Sequence, residues 1–224
     1  MKALLFGSIG TIVETSELQH RAFNLAFEQH GLDWHWDRDS YREMLKTSGG
    51  VKRIEGYAAS KGTEMDAGAI HATKSALFLD LLENGEARMR PGVLDLLKRA
   101  KDEGMALGFV SGTERATIDT ITGMLSTAGA PAFDVVTSRA PGLAEKPDPA
   151  IYVEALSRLG LDAKQAFAVE DNVDGVAAAK GAGLFVIGTP GAYAEPGDLA
   201  AADVVTDDLH AAGSERIAQR AGTS

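Results

Sequence analysis

The sequence predicts an α/β protein, a parallel sheet covered by helices on both faces and carrying an inserted helical module. Three observations lead there. Short apolar runs recur along the 224 residues, at Lys2–Ser8, Met105–Ser111, Val135–Thr137, Ala166–Val169 and Leu184–Ile187. Helix-length amphipathic stretches separate the later runs. From about Thr15 to Met89 the alternation stops, and helical patterns follow one another with no convincing strand between them.

Each element has its own signal. Lys2–Ser8 is apolar until Gly7-Ser8 end it, as in a buried parallel strand that delivers a loop at its carboxyl end. Helices are expected at Glu17–His30, Arg38–Lys46, Val51–Lys61 and Ala67–Asn84, and these form the inserted module. Arg90-Pro91-Gly92 re-enters the core, with Pro91 near the start of the helix Gly92–Glu103, whose Val93, Leu96, Leu97 and Ala100 share a face. Pro149–Leu159 repeats that pattern through Ile151, Ala155, Leu156 and Leu159. From Leu209 the chain is rich in Ala, Gly and polar residues, which reads as a short helix and a frayed tail. The boundaries implied are a core of residues 1–14 and 90–224 and a module of residues 15–89. Ligands of such sheets bind beyond the carboxyl ends of the strands, so the loops that start at Gly7, Ser111, Lys146 and Glu170 should converge.

Composition narrows the function classes. With 45% hydrophobic and 24% charged residues and no apolar run near membrane-spanning length, the chain reads as a soluble, cytoplasmic protein with no membrane partner. The absence of cysteine excludes disulfides, thiol catalysis and thiolate zinc sites. A net charge of −10 argues against nucleic acid, so an anionic ligand needs a local cationic pocket.

Four separated segments carry the chemistry. They are Phe6-Gly7-Ser8-Ile9-Gly10-Thr11, Gly108-Phe109-Val110-Ser111-Gly112, Lys146-Pro147-Asp148-Pro149, and Val169-Glu170-Asp171-Asn172 leading into a Gly/Ala-rich helix. In order and spacing they resemble the motifs of haloacid dehalogenase (HAD)-like hydrolases, whose fold is a Rossmann-like parallel sheet with an inserted α-helical cap. The stretch Ala22-Phe23-Asn24, the run Gly31–Asp37, the segment Gly49-Gly50-Val51-Lys52-Arg53-Ile54 and Tyr57 look like the cap of the β-phosphoglucomutase/CbbY branch. That resemblance implies a small phosphorylated ligand such as a sugar phosphate, read in the cap by Gly49, Gly50, Lys52 and Arg53. Two departures bear on which ligand. Val51-Lys52 stands where family caps often have Lys-Glu, and Gln19 where many relatives have histidine.

In the family an aspartate on the first strand attacks phosphorus, and a second, two residues on, serves as acid and base. Here those positions are Gly7 and Ile9, so neither role has a side chain to perform it. Ser8 lies between them and is expected to point to the opposite side. The resemblance assigns phosphate contact to Ser111, Gly112 and Lys146, and magnesium to Glu170 and Asp171. Without an aspartate at position 7 the metal should bind weakly, because Mg²⁺ seeks about six oxygens in near-octahedral array. Read as a structural feature, Asp171-Asn172 caps the helix that follows. Trp34 and Trp36 are expected in the core of the cap with their NH groups satisfied, and His20, His30 and His71 at its surface or an interface.

Two functions follow from these residues. One is a weakly active or catalytically silent relative, monomeric or homodimeric, that binds a phosphorylated small molecule. The other is an active Mg²⁺-dependent sugar-phosphate phosphatase, of the kind that acts on pentulose bisphosphates, with an unidentified nucleophile. Putting aspartate at positions 7 and 9 is the substitution expected to separate them, because the other three motifs are intact.

Overall fold

The computed structural model describes residues 1–45 and 49–210. Lys46, the end expected for the second helix, and nearly all of the stretch expected as a helix and tail from Leu209 lie outside the described residues. The chain divides into two compact units, one falling within Met1–Glu14 and Arg88–Ser224, the other Thr15–Ala87.

The first unit is built on the parallel strands β1 (Ala3–Phe6), β4 (Ala106–Val110), β5 (Val135–Thr137), β6 (Ala166–Glu170), β7 (Phe185–Gly188) and β8 (Val204–Val205). Their order is β5-β4-β1-β6-β7-β8. All four residues of β1 are buried, which is why the strand is apolar without alternation and sits mid-sheet between β4 and β6. Phe6 pairs with Phe109 on one side and Val169 on the other. That register carries Gly7, Ser111 and Glu170 to one end of three adjacent strands.

Helices α5 (Val93–Asp102), α6 (Arg115–Thr127), α7 (Ala150–Leu159) and α8 (Val173–Gly181) connect these strands. The expected stripe of α5 is buried at Val93, Leu96, Leu97 and Ala100. On α7 the buried residues are Ile151, Tyr152, Ala155 and Leu156. A two-residue pair, β2 (Val13–Glu14) with β3 (Arg88–Met89), is antiparallel. The compact unit accordingly ends at Ala87 rather than Met89, because Arg88 and Met89 are held by backbone pairing to Val13 and Glu14.

The second unit contains α1 (Ser16–Gln29), α2 (Arg38–Met44), α3 (Gly50–Lys61) and α4 (Ala67–Glu83). Asp37 caps α2 through Ser40 N and Asp66 caps α4 through Ala69 N, each satisfying one amide that a helix start leaves unpaired. Its interior is aromatic, with Phe23 and Phe27 packed on Trp36 at centroid distances of 4.8 and 4.7 Å. Trp34 and Trp36 are buried as expected, but the Nε1 of Trp36 has no hydrogen-bond partner among the described residues. Hydrophobic packing fixes the ring without its polar atom, so the expectation of a satisfied NH fails there. His20 is not a free surface residue either. Its ring stacks on Tyr41 at 4.8 Å and its Nε2 meets the Trp36 carbonyl at 2.6 Å.

Candidate functional site

The loop after β1 defines the centre of the site by what it lacks. A Cβ placed on Gly7 would lie 2.0 Å from the Tyr152 hydroxyl, 2.1 Å from Glu170 Oε1 and 2.3 Å from Glu170 Cδ. The space of a side chain at position 7 is therefore taken by groups from α7 and the end of β6. Tyr152 donates its hydroxyl to Glu170 Oε1 at 2.6 Å, and Lys146 Nζ donates to the same oxygen at 2.6 Å. The ammonium also donates to the carbonyls of Gly7 and, at 3.2 Å, Val110. A lysine has three N–H donors, and all three point inward here.

Glu170 is fully buried and its Oε2 has no partner among the described residues. Burial pushes its carboxyl up from the ordinary range, against the pull of the Lys146 ammonium. The Tyr152 phenol is driven well above its usual value by burial, and the neighbouring Glu170 carboxylate adds to the shift.

Asp171 lies beside this cluster. Its Oδ1 accepts from Ser8 Oγ at 2.5 Å and from Asn172 Nδ2 at 2.7 Å, and its Oδ2 would be 1.8 Å from a Cβ on Gly10. Ser8, expected to turn away, thus reaches a residue of the fourth motif. The reason is the 3-10 turn Ile9–Thr11, which begins at once after Ser8 and ends the strand alternation on which the expectation rested. Asn172 caps α8 through Gly175 N at 2.8 Å, so the structural reading of Asp171-Asn172 holds for the second residue. Arg90 ties the same loop to the one after β7, donating to Gly10 O at 3.2 Å, Thr189 O at 3.0 Å, Thr189 Oγ1 at 2.9 Å and Pro190 O at 2.8 Å.

Ser111 is buried at the end of β4, and its Oγ accepts from Thr113 N at 3.2 Å. Among the described residues that hydroxyl has no acceptor of its own, so its proton and the neighbouring Gly112 amide suit an oxyanion. The sequence missed two members of this site, Tyr152 and Arg90. Tyr152 carried a signal, since it falls at i−3 and i−4 from Ala155 and Leu156 on the buried face of α7.

Within the second unit, Gly49 (φ 100°) is the residue before α3, and a Cβ on Gly50 would lie 2.3 Å from His71 Nε2. Lys52 and Arg53 line a cavity of about 360 Å³ with Met44, Gly56, Tyr57 and Ser60. The Arg53 guanidinium lies over the rings of Phe23 and Tyr41, at 5.8 and 5.7 Å, and its Nε donates to Met44 O at 3.1 Å.

The profile of the haloacid dehalogenase-like hydrolases matches residues 1–183. Protein CbbY of Rhodobacter capsulatus is 35% identical over 223 residues, covering 97% of each chain. The crystal structure of CbbY from Rhodobacter sphaeroides in complex with phosphate has a TM-score of 0.82 at 36% identity, covering 95% of this chain and 96% of that one. A mutant of that protein, in complex with xylulose-(1,5)bisphosphate, has a TM-score of 0.80 at 36% identity, covering 94% and 95%.

Proposed function

The chain belongs to the haloacid dehalogenase-like hydrolases, and from that premise we propose that it binds a phosphorylated small molecule of the sugar-phosphate class while being weakly active or silent as a phosphatase. One observation carries this reading. The space of the nucleophile at position 7 is occupied by the Tyr152 hydroxyl and the Glu170 carboxylate, and position 9 is isoleucine. Deleting a nucleophile costs on the order of 10⁶ in kcat in the subtilisin example, so what survives is binding with a residue of catalysis.

The phosphate class comes from Ser111 and Gly112 and from the relatives, whose structures hold phosphate and xylulose-(1,5)bisphosphate. Gly49, Gly50, Lys52 and Arg53 are assigned to the part of the ligand away from that phosphate, with the two cations offsetting its charge.

Magnesium is the cofactor that the family resemblance implies, and the donor set does not fit it. Glu170 Oε1 is held by Lys146 and Tyr152, its Oε2 is enclosed, and Asp171 Oδ1 is held by Ser8 and Asn172. Among the described residues no group of three His, Asp or Glu stands close enough to hold an ion. Mg²⁺ demands near-octahedral oxygen geometry, which these committed carboxylate oxygens do not offer.

The second reading, an active phosphatase with another nucleophile, has one observation in its favour. Ser8 Oγ donates to Asp171 at 2.5 Å, and that carboxylate is placed to receive its proton. Hydrolysis of an aryl phosphate, with and without Mg²⁺, separates the two. Negligible turnover in both supports the silent reading, whereas robust turnover lost in Ser8→Ala establishes the other.

A further inference from the structure

We propose that the Glu170 carboxylate is a resident counter-ion seated where a residue-7 side chain would lie, and that a phosphate must displace it to reach Lys146. The displacement rests on the binding reading above. The seat rests on geometry alone.

Glu170 Cδ and Oε1 stand 2.3 and 2.1 Å from the position of a Cβ on Gly7, far inside van der Waals contact, so the carboxylate fills the space a side chain there would take. The carboxylate missing from the end of β1 has thus been replaced in space by one from the end of β6. A second glycine closes the other side, for a Cβ on Gly175 would fall 2.2 Å from Oε2 and 2.3 Å from Cδ. The seat therefore needs glycine at both positions 7 and 175. Within it, Oε1 receives Lys146 and Tyr152 at 2.6 Å each, and Oε2 is buried without a partner among the described residues.

All three donors of Lys146 are thus met within the protein. Its charge is already answered from inside. A phosphate offers the same ammonium more oxygens than Glu170 does, and moving the carboxylate out relieves the enclosed Oε2. The cost is the repulsion between the two anions while both are near.

The test uses the full chain with chelator present, so that metal plays no part. Gly7→Asp brings a second carboxylate onto the seat and should lower the melting temperature. In a Glu170→Ala background, which empties the seat, the same substitution should cost less than half as much. Simple addition of the two losses overturns the seat. If Gly7→Asp does not fold, Gly7→Ala with Tyr152→Phe runs the same cycle on the steric contact. Displacement is read by titrating inorganic phosphate, which Glu170→Gln should bind about tenfold tighter than the parent protein. Unchanged or weaker binding overturns displacement. Coupling in the melting cycle with no phosphate bound by any variant overturns the binding reading and leaves the seat standing.

Discussion

Each unit of this protein encloses a lysine, and the two are treated in opposite ways. Lys146, in the core unit, has a carboxylate at 2.6 Å, two carbonyls and the face of Tyr152 at 4.8 Å. Lys74, in the helical unit, is 7% exposed and among the described residues has only the amide oxygen of Gln19, with the rings of Phe23 and Phe78 at 4.9 and 5.0 Å. Burial lowers its pKa to about 7, and the charge of Arg53 adds to the shift. A buried cation answered by a carboxylate becomes part of the fold's electrostatics. One answered only by dipoles and rings becomes a titrating group near neutrality. The core unit therefore resists losing its lysine, and the helical unit should gain from losing its own.

The largest effect should come from breaking the answered pair. Lys146→Met leaves Glu170 fully buried with Tyr152 as its only side-chain donor among the described residues, and removing one partner of a buried pair costs about 3–5 kcal/mol. Urea unfolding at neutral pH measures it. Adding Glu170→Gln should recover much of the loss, because the stranded charge goes with it. A loss below about 1 kcal/mol for Lys146→Met would mean that the pair contributes nothing net, and the contrast between the two lysines would fail.

Next is the unanswered lysine, where the sign can be worked out. The folded pKa of about 7 lies below the reference value of 10.5, so between those limits the folded protein holds fewer protons than the unfolded chain. Stability should then rise with pH from about 7 to 10.5 and be lowest, and flat, below 7. Lys74→Met should stabilise by about 1–3 kcal/mol at pH 6 and remove this rise. Calorimetric melting at pH 6 and pH 9, parent against variant, is the measurement. The same slope in both would show that Lys74 keeps its proton in the folded state.

How much of this contrast could be read from the sequence depends on how local the cause is. The strand at Val135–Thr137 and the buried face of α5 follow from apolar runs and helical spacing, which need no knowledge of neighbours. The pairs β2–β3 and β8 are two residues long, too short for any period to show. Absence of carboxylates at positions 7 and 9 was legible, but occupation of that space was not. It depends on β6 lying beside β1 and on α7 turning Tyr152 toward the end of the sheet. Lys146 illustrates the limit. Its place in a motif marks it as a phosphate ligand, yet only the packed structure shows its donors committed to Gly7, Val110 and Glu170.

A third cation sharpens the comparison because it is answered by carbonyls and a hydroxyl, with no carboxylate among the described residues. Arg90 joins the loops after β1 and β7 through four hydrogen bonds, three to carbonyls and one to the Thr189 hydroxyl. A lysine there keeps the charge but cannot reproduce the planar fork. Arg90→Lys should cost about 1–2 kcal/mol by urea unfolding, less than Lys146→Met, since no buried anion is stranded. An equal cost for the two would mean that geometry, and not charge balance, holds this end of the sheet.

The smallest effect is expected at Lys52, and it tests whether the helical unit reads ligand at all. Lys52 is exposed on the wall of the 360 Å³ cavity, so replacing it strands no charge and should leave stability within about 0.5 kcal/mol of the parent protein. Arg53 would be a poorer probe, because its guanidinium packs over Phe23 and Tyr41 and its loss would disturb the aromatic interior. If Gly49–Arg53 reads a sugar bisphosphate, Lys52→Ala should weaken binding of that ligand class by about 0.5–1 kcal/mol, the scale of an exposed charge contact. Inorganic phosphate, which is too small to reach beyond the core contacts, should bind the variant as it binds the parent. Isothermal titration with both ligands gives the answer in one pair of proteins. Equal losses for the two would mean that Lys52 acts only through the general field, and no loss for either would remove the helical unit from recognition and leave the ligand to Ser111, Gly112 and the lysine behind Glu170.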